Sequence, residues 1–307
     1  MNSSASTFKY HLLALFSAIM WGTTFVSTKV LINHGLSPAA IFLYRFVLAY
    51  VGIWLIAPRK LFCGNLRDEL MMMAAGLTGG SLYFILENSA LEITLASNVS
   101  LIISTAPLLT ALLVRLFHRN EQMNPGFIYG SLIALLGVAF VVFNGHFVLK
   151  LSPLGDTLTL LASLMWAFYS LIIKKLDNRY HVLFITRKVF FYGLLTILPI
   201  FIFRPSQVDL KVFVSPVVWG NLLFLGFIAS MLCYILWNIA VKHLGAVRAS
   251  NYIYINPLVT LITAAIVLHE QITLIALLGG VCILIGVYVA ERGFVLPWSV
   301  KRKRECL

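Results

Sequence analysis

The sequence runs to 307 residues, 60% of them hydrophobic and only 11% charged. Soluble globular chains carry roughly a quarter charged residues, so a soluble domain is excluded. The formal net charge of +12 does not point to a nucleic-acid partner, because the basic residues are spread at intervals between apolar segments.

Windows of roughly 20 apolar residues, enough for a helix to cross a hydrocarbon core of about 30 Å, recur at 10–30, 39–57, 70–90, 96–116, 126–144, 154–173, 184–203, 217–240, 248–268 and 273–290. Strict strand alternation is absent, so helices satisfy the backbone in lipid. The first window is too long for a secretory leader and lacks a small-residue cleavage pattern, so it reads as a retained helix. The connections are short and leave no room for a soluble catalytic domain. Lys9, Arg59, Lys60, Arg67, Arg115, Arg119, Lys174, Lys175, Arg179, Lys242, Arg248, Arg292 and the tail "KRKR" flank alternate loops. The opposite loops hold only Lys29, Lys150, Arg204 and Lys211. The positive-inside rule then places both termini in the cytoplasm, with 292–307 as a basic cytoplasmic tail. Membrane lipid is the expected surrounding and a partner for the basic side. Cys63, Cys233, Cys282 and Cys306 show no disulfide or metal-ligand spacing.

Along the spans the polar residues are few and therefore informative. The first helix carries Trp21 in mid-span, away from the interfacial belts where tryptophan gathers. Arg45 lies about seven residues into the second span. Glu87 lies about four residues before the end of the third, so both are expected in the outer half of the membrane. A charge in lipid costs about 2.5–3.5 kcal/mol on insertion scales, which calls for a partner or a task. An Arg45–Glu87 ion pair would answer as a structural latch. A water-filled cavity would answer as a functional site. There Glu87 could bind a proton in one state and release it in another, or hold a cationic group, and Arg45 could hold a carboxylate bidentately.

Gly76, Gly80, Tyr83 and Glu87 share one face of the third helix. Gly76 and Gly80 form a G-x-x-x-G that admits a close neighbour. The fourth helix offers Ser97, Ser100 and Ser104 before Pro107. The ninth offers Ser250, Asn251, Tyr254 and Asn256 before Pro257. A proline frees a carbonyl one turn back, so these helices are expected to supply hydrogen bonds to a solute, with interhelical bonding as the plainer use. In the sixth helix Trp166 and Tyr169 lie on one side and could wall a cavity with Trp21, or simply pack. Asp156 reads as a helix-start charge after "SPLG". Arg187, near the start of the seventh span, reads as snorkelling to the interface.

The halves repeat. "MWGTTFVSTK" (20–29) faces "MWAFYSLIIK" (165–174), and "FLYRFVLAY" (42–50) faces "FITRKVFFY" (184–192). Residues 87–110 face 237–260, matching Glu87 with Trp237, Asn88 with Asn238 and Pro107 with Pro257. Five spans per half is odd, so the second copy enters the membrane inverted, with the repeats at 10–144 and 154–291. Inverted repeats are a recurring architecture of secondary transporters, which alternate access about a midplane site. The expected fold is an all-α integral membrane protein of ten transmembrane helices in two inverted five-helix repeats. The fifth and tenth helices, rich in glycine, are candidates for packing or a homodimer seam.

"MWG" in the first helix, "YRF" in the second, "ASNVSLIISTAPLLTALL" in the fourth, "GDTLTLLASLMWAFYSLIIKKL" in the sixth and "ASNYIYINPLVTLITAAIVLHEQIT" in the ninth resemble EamA-type permeases of the drug/metabolite transporter superfamily. The resemblance spans about 10–290 and implies a ten-helix transporter of small metabolites, often an exporter, in a bacterial cytoplasmic membrane. The family's acidic residue after the fourth and ninth helices corresponds to Glu121 and Glu270. Glu87 departs from that general pattern.

An intramembrane enzyme is disfavoured, since "HEQIT" lacks the second histidine of a zinc motif, no G-x-S-x-G is present, and Glu87 has no second deep carboxylate. No cofactor is implied. The reading is a secondary transporter, an exporter of amino acids or related polar or amphipathic solutes. A uniporter or exchanger, an uptake carrier, and a solute sensor stand as alternatives.

Overall fold

The computed structural model describes residues 2–57, 62–94, 96–117, 125–143, 152–203, 210–268 and 273–292, and every regular element among them is helical. Glu121 and Glu270, the tail beyond Arg292 and the side chain of Ser97 lie outside the described residues. The bundle comprises α1 (Asn2–Asn33), α2 (Pro38–Ile56), α3 (Leu66–Ile93), α4 (Val99–Phe117), α5 (Pro125–Phe143), α6 (Pro153–Leu176), α7 (Val182–Phe203), α8 (Pro216–Leu244), α9 (Ala246–Val267) and α10 (Leu274–Arg292). Eight are long and apolar enough to cross a bilayer. The described apolar stretches of α5 and α10, Gly126–Phe140 and Leu277–Ala290, are shorter and complete the ten.

The chain writes its helix starts and stops plainly. Ser-Pro pairs open α2, α6 and α8. Proline at the first turn needs no N–H partner, and the Ser37 and Ser152 hydroxyls accept from the N–H of Ala40 and Gly155 at 3.3 Å each. Gly35 and Gly245 sit just past the ends of α1 and α8 with φ of +93° and +86°, a conformation that side chains with a Cβ rarely take.

In lipid the hydrophobic effect gives little drive between helices, so close packing and interhelical hydrogen bonds must hold them together. Gly76 lies against the Gly193 and Val189 backbone of α7, and Gly80 against Gly193, so the expected G-x-x-x-G face meets α7. A Cβ on Gly130 would stand 2.3 Å from the Ala290 nitrogen, and one on Gly286 would stand 2.4 Å from the Ala134 nitrogen. The glycine faces of α5 and α10 are therefore spent on each other within one chain. Their outer faces expose Leu132, Leu136, Leu278 and Val281, as a lipid-facing pair should.

Four helices are irregular, at matching registers in the two halves. A π-helical stretch interrupts α3 at Leu77–Ser81 and α8 at Phe224–Leu232. The fourth helix breaks between Ile103 and Ala106, and α9 tightens into a 3₁₀ turn at Asn251–Ile255. The prolines predict the second pair of irregularities. The first pair coincides with Gly79 and Gly80, the latter leaving helical geometry at φ −125°, ψ −105°. Irregular backbone at membrane depth is tolerated where protein or a cavity meets it. Here protein does: the Ile102 carbonyl at the α4 break accepts from Ser163 on α6 at 3.1 Å, and the Gly79 carbonyl accepts from the Tyr234 hydroxyl.

Candidate functional site

A cavity of about 30 Å³ lies where the halves meet, about the share of one liquid water, so this conformation is tight around the site. Its lining comes from α1 (Trp21, Thr24, Phe25), α2 (Arg45), α3 (Tyr83, Phe84, Glu87), α4 (Ile103), α6 (Trp166), α8 (Tyr234) and α9 (Ile253, Asn256). Six residues singled out from sequence are thus brought together: Trp21, Arg45, Tyr83, Glu87, Trp166 and Asn256.

Arg45 and Glu87 are both buried and share this cavity, yet their direct partners are other residues. The Arg45 Nε donates to Ser230 Oγ at 2.9 Å, and its guanidinium carbon lies 4.2 Å from the Phe84 ring centroid. Glu87 accepts from the Tyr83 hydroxyl at 3.0 Å, one helical turn earlier. The described hydrogen bonds of both are thus to neutral groups, while the two charges still attract each other across the cavity. That leaves both charges with hydrogen-bonding capacity toward the cavity.

The walls are aromatic. Trp21 meets Trp166 edge-on at 5.0 Å and Trp237 at 4.9 Å. Its indole N–H is fixed by the Ala229 carbonyl within the π-helical stretch of α8, at 2.8 Å. The Trp166 Nε1 and Asn256 Oδ1 are buried without a hydrogen-bond partner, which is uncommon for buried polar atoms and asks for an explanation such as a bound solute. Positive, negative, donor and acceptor groups thus converge between stacking surfaces.

The other expected site residues stand behind this wall or away from it. Trp237 is fully buried in a second layer. Tyr169 donates to Asn238 Oδ1 at 2.8 Å, and Asn238 in turn donates to Thr186 at 3.0 Å, a chain joining α6, α8 and α7. Ser104 bonds back to the Ser100 carbonyl at 2.9 Å, and Ser100 itself is buried off the cavity. Tyr254 packs in a cluster with Ala134, Val138 and Ile283 of α5 and α10, and Asn251 is buried at the start of the 3₁₀ turn. Tyr234 and Phe84, by contrast, line the cavity and were not singled out. They are repeat partners one residue after Cys233 and Tyr83, and in sequence each reads as packing in an apolar span.

A second polar cluster lies at the end of the bundle where α3 and α7 begin. Asp68 accepts from Arg179 at 2.5 Å and from the Tyr180 hydroxyl at 2.9 Å. Glu69 accepts from Lys188, from the Tyr192 hydroxyl and, at 2.7 Å, from the Cys63 backbone N–H. Burial, with the thiol's hydrogen bond to Glu69 next, pushes the Cys63 thiol up to about 11. Arg187 corrects the snorkelling expectation: it is 3% exposed and lines a pocket with Lys188. At the same end Asp177 closes α6 with both carboxylate oxygens buried and unbonded, and burial raises its pKa to about 7 while Lys242 partly offsets this. An unfolded aspartate titrates near 3.9, so between about pH 4 and 7 the folded state keeps a proton that the unfolded chain has lost, and stability falls as pH rises. Asp177→Asn is expected to flatten that slope and raise the melting temperature in detergent above that of the parent at pH 8. Parallel melting profiles from pH 4 to 8 would move the effect to another group.

Comparison with known proteins places these features in company. Residues 8–143 and 153–291 each match the model of the EamA-like transporter family. The chain is 24% identical over 299 residues to a probable amino-acid metabolite efflux pump of Escherichia coli (strain K12), covering 94% of this chain and 97% of that one. It is 27% identical over 278 residues to a probable terminal-alkyne amino-acid exporter of Streptantibioticus cattleyicolor, covering 90% and 91%. It is also 27% identical to an uncharacterized transporter of Archaeoglobus fulgidus over 92% of this chain and 96% of that one. One solved crystal structure shares the fold with a TM-score of 0.71 at 17% identity, covering 92% and 96%.

Proposed function

The chain belongs to the EamA-like transporter family, and on that premise we propose that it is a secondary exporter of amino acids or related amphipathic solutes in a bacterial cytoplasmic membrane, both termini cytoplasmic, working by alternating access. The observation that supports the substrate class is that Arg45 and Glu87 line one cavity and that the hydrogen bonds described for each go to neutral groups. A zwitterion brings a carboxylate for the guanidinium and an ammonium for the carboxylate. The tryptophan walls suit an apolar side chain or a cationic one. Relatives with names of amino-acid efflux and export support the same class. Glu87 is also the group placed to carry a proton in exchange, because it is the carboxylate on the cavity wall.

Export is tested by comparing extracellular metabolites of cells expressing the intact protein, Glu87→Gln at matched membrane abundance, and an empty vector. An amino acid or derivative is expected to accumulate outside with the intact protein alone. Identical extracellular profiles in all three would sink the export reading and favour uptake or sensing.

A further inference from the structure

A second cavity of about 210 Å³ lies outside the substrate site, lined by Tyr50 of α2, Phe62, and Arg187, Lys188 and Phe191 of α7. Both cations are 3% exposed, and among the described residues that line the cavity none is acidic. The Lys188 ammonium bonds to Glu69 from α3 and lies 5.0 Å from the Phe62 ring centroid and 5.6 Å from that of Phe191. Tyr50 and Phe191 face each other across the α2–α7 seam at 6.1 Å. A guanidinium and an ammonium side by side are the donor types that meet a phosphate oxyanion.

The surroundings say what kind of anion. From Phe191 an exposed apolar stripe runs along α7 through Leu195, Leu198 and Ile202. Val47, Val51 and Trp54 expose the neighbouring face of α2. These surfaces are wetted by acyl chains in a bilayer, so the cavity joins a basic recess at the membrane edge to a lipid-facing wall. Basic pockets between membrane helices suit anionic headgroups. We propose that this recess binds the phosphate of an anionic phospholipid, with Arg187 and Lys188 as the headgroup ligands and the exposed stripes of α2 and α7 as the acyl-chain track.

The test uses the full-length protein, delipidated in neutral detergent, with its melting temperature followed against phosphatidylglycerol, phosphatidylcholine or inorganic phosphate. Phosphatidylglycerol is expected to stabilise saturably, and the other two are not. Arg187→Gln should weaken the apparent phosphatidylglycerol affinity about tenfold or more, the scale of one charge-assisted bond, while Arg187→Lys keeps most of it. A photoactivatable phosphatidylglycerol on the parent protein, which needs no variant to fold, should label peptides holding Tyr50, Phe62 or Phe191. Equal stabilisation by phosphatidylcholine, an unchanged affinity in Arg187→Gln, or labelling confined to other helices would overturn the lipid site. Full stabilisation by inorganic phosphate alone would replace it with a soluble-anion site. Transport is not read in any arm, so failure here leaves the proposed function standing.

Discussion

Arg45→Gln and Glu87→Gln are each expected to lower export at least about tenfold, because a hydrogen bond to a charged group contributes about 1.5–3 kcal/mol, and to do so with different substrate signatures. Arg45 would meet the carboxylate of a zwitterion, so its loss should spare transport of an amine analogue lacking that carboxylate. Glu87 would meet the ammonium, so its loss should spare a deaminated acid. Both side chains also hold structure, through Ser230 and Phe84 for Arg45 and through Tyr83 for Glu87. Glutamine keeps hydrogen-bonding atoms in each place, and membrane abundance and melting temperature must be matched before fluxes are compared. The measurement is competition of each analogue against the exported amino acid, in the parent and both variants. If the variants lose both analogues alike, the charges do not divide the substrate between them and the zwitterion reading fails.

The crossed pattern also separates binding from proton coupling. A carboxylate that only binds ammonium should matter equally with and without a pH gradient. One that carries the exchanged proton should, when replaced by glutamine, abolish the gradient's drive yet permit exchange of substrate for substrate. These outcomes differ because coupling requires the group to change protonation between the two states, whereas binding does not.

What the sequence makes legible here follows from helical geometry. Tyr83 and Glu87 are one turn apart, so their common face and mutual bond are readable without a structure. The tryptophans at 21 and 166 are repeat-related, and an inverted repeat brings such positions to the midplane. Polar residues at the fourth and ninth helices mislead for a physical reason. A serine in a helix can bond to the carbonyl one turn back, as Ser104 does, so its polarity carries no information about a cavity. Tyr234 is illegible for the opposite reason, because an aromatic in an apolar span reads as packing until its hydroxyl is seen on the Gly79 carbonyl. The pairing of Glu69 with Lys188 depends on how α3 meets α7 across 119 residues of chain, and both residues sit near helix starts, where interfacial charges need no explanation.

That pairing yields the largest expected effect on stability. Lys188 is 3% exposed and Glu69 17%, and removing one member of a buried pair strands the other at a cost of about 3–5 kcal/mol. Glu69→Gln and Lys188→Met are each expected to lower the melting temperature sharply. The double variant should recover a substantial part, since no uncompensated charge is left. The inverted repeat gives the pair a further meaning. The repeat-related positions hold Trp219 and Phe46, so the charged clasp between α3 and α7 has no ionic counterpart at those positions of α8 and α2. Were α3 and α7 to part at this end, as the proposed alternating access would have it, the bonds from Lys188 and Tyr192 to Glu69 would break, whereas Trp219 and Phe46 could hold no ionic bond in their place. The double variant should therefore populate the state open at the clasped end more than the parent does, read as a longer distance between spin labels placed on exposed faces of α3 and α7 at that end in folded protein. Strictly additive destabilisation in the double variant would show that the two charges do not act as a pair. A spin-label distance distribution unchanged from the parent would leave the pair a stabilising contact with no part in opening.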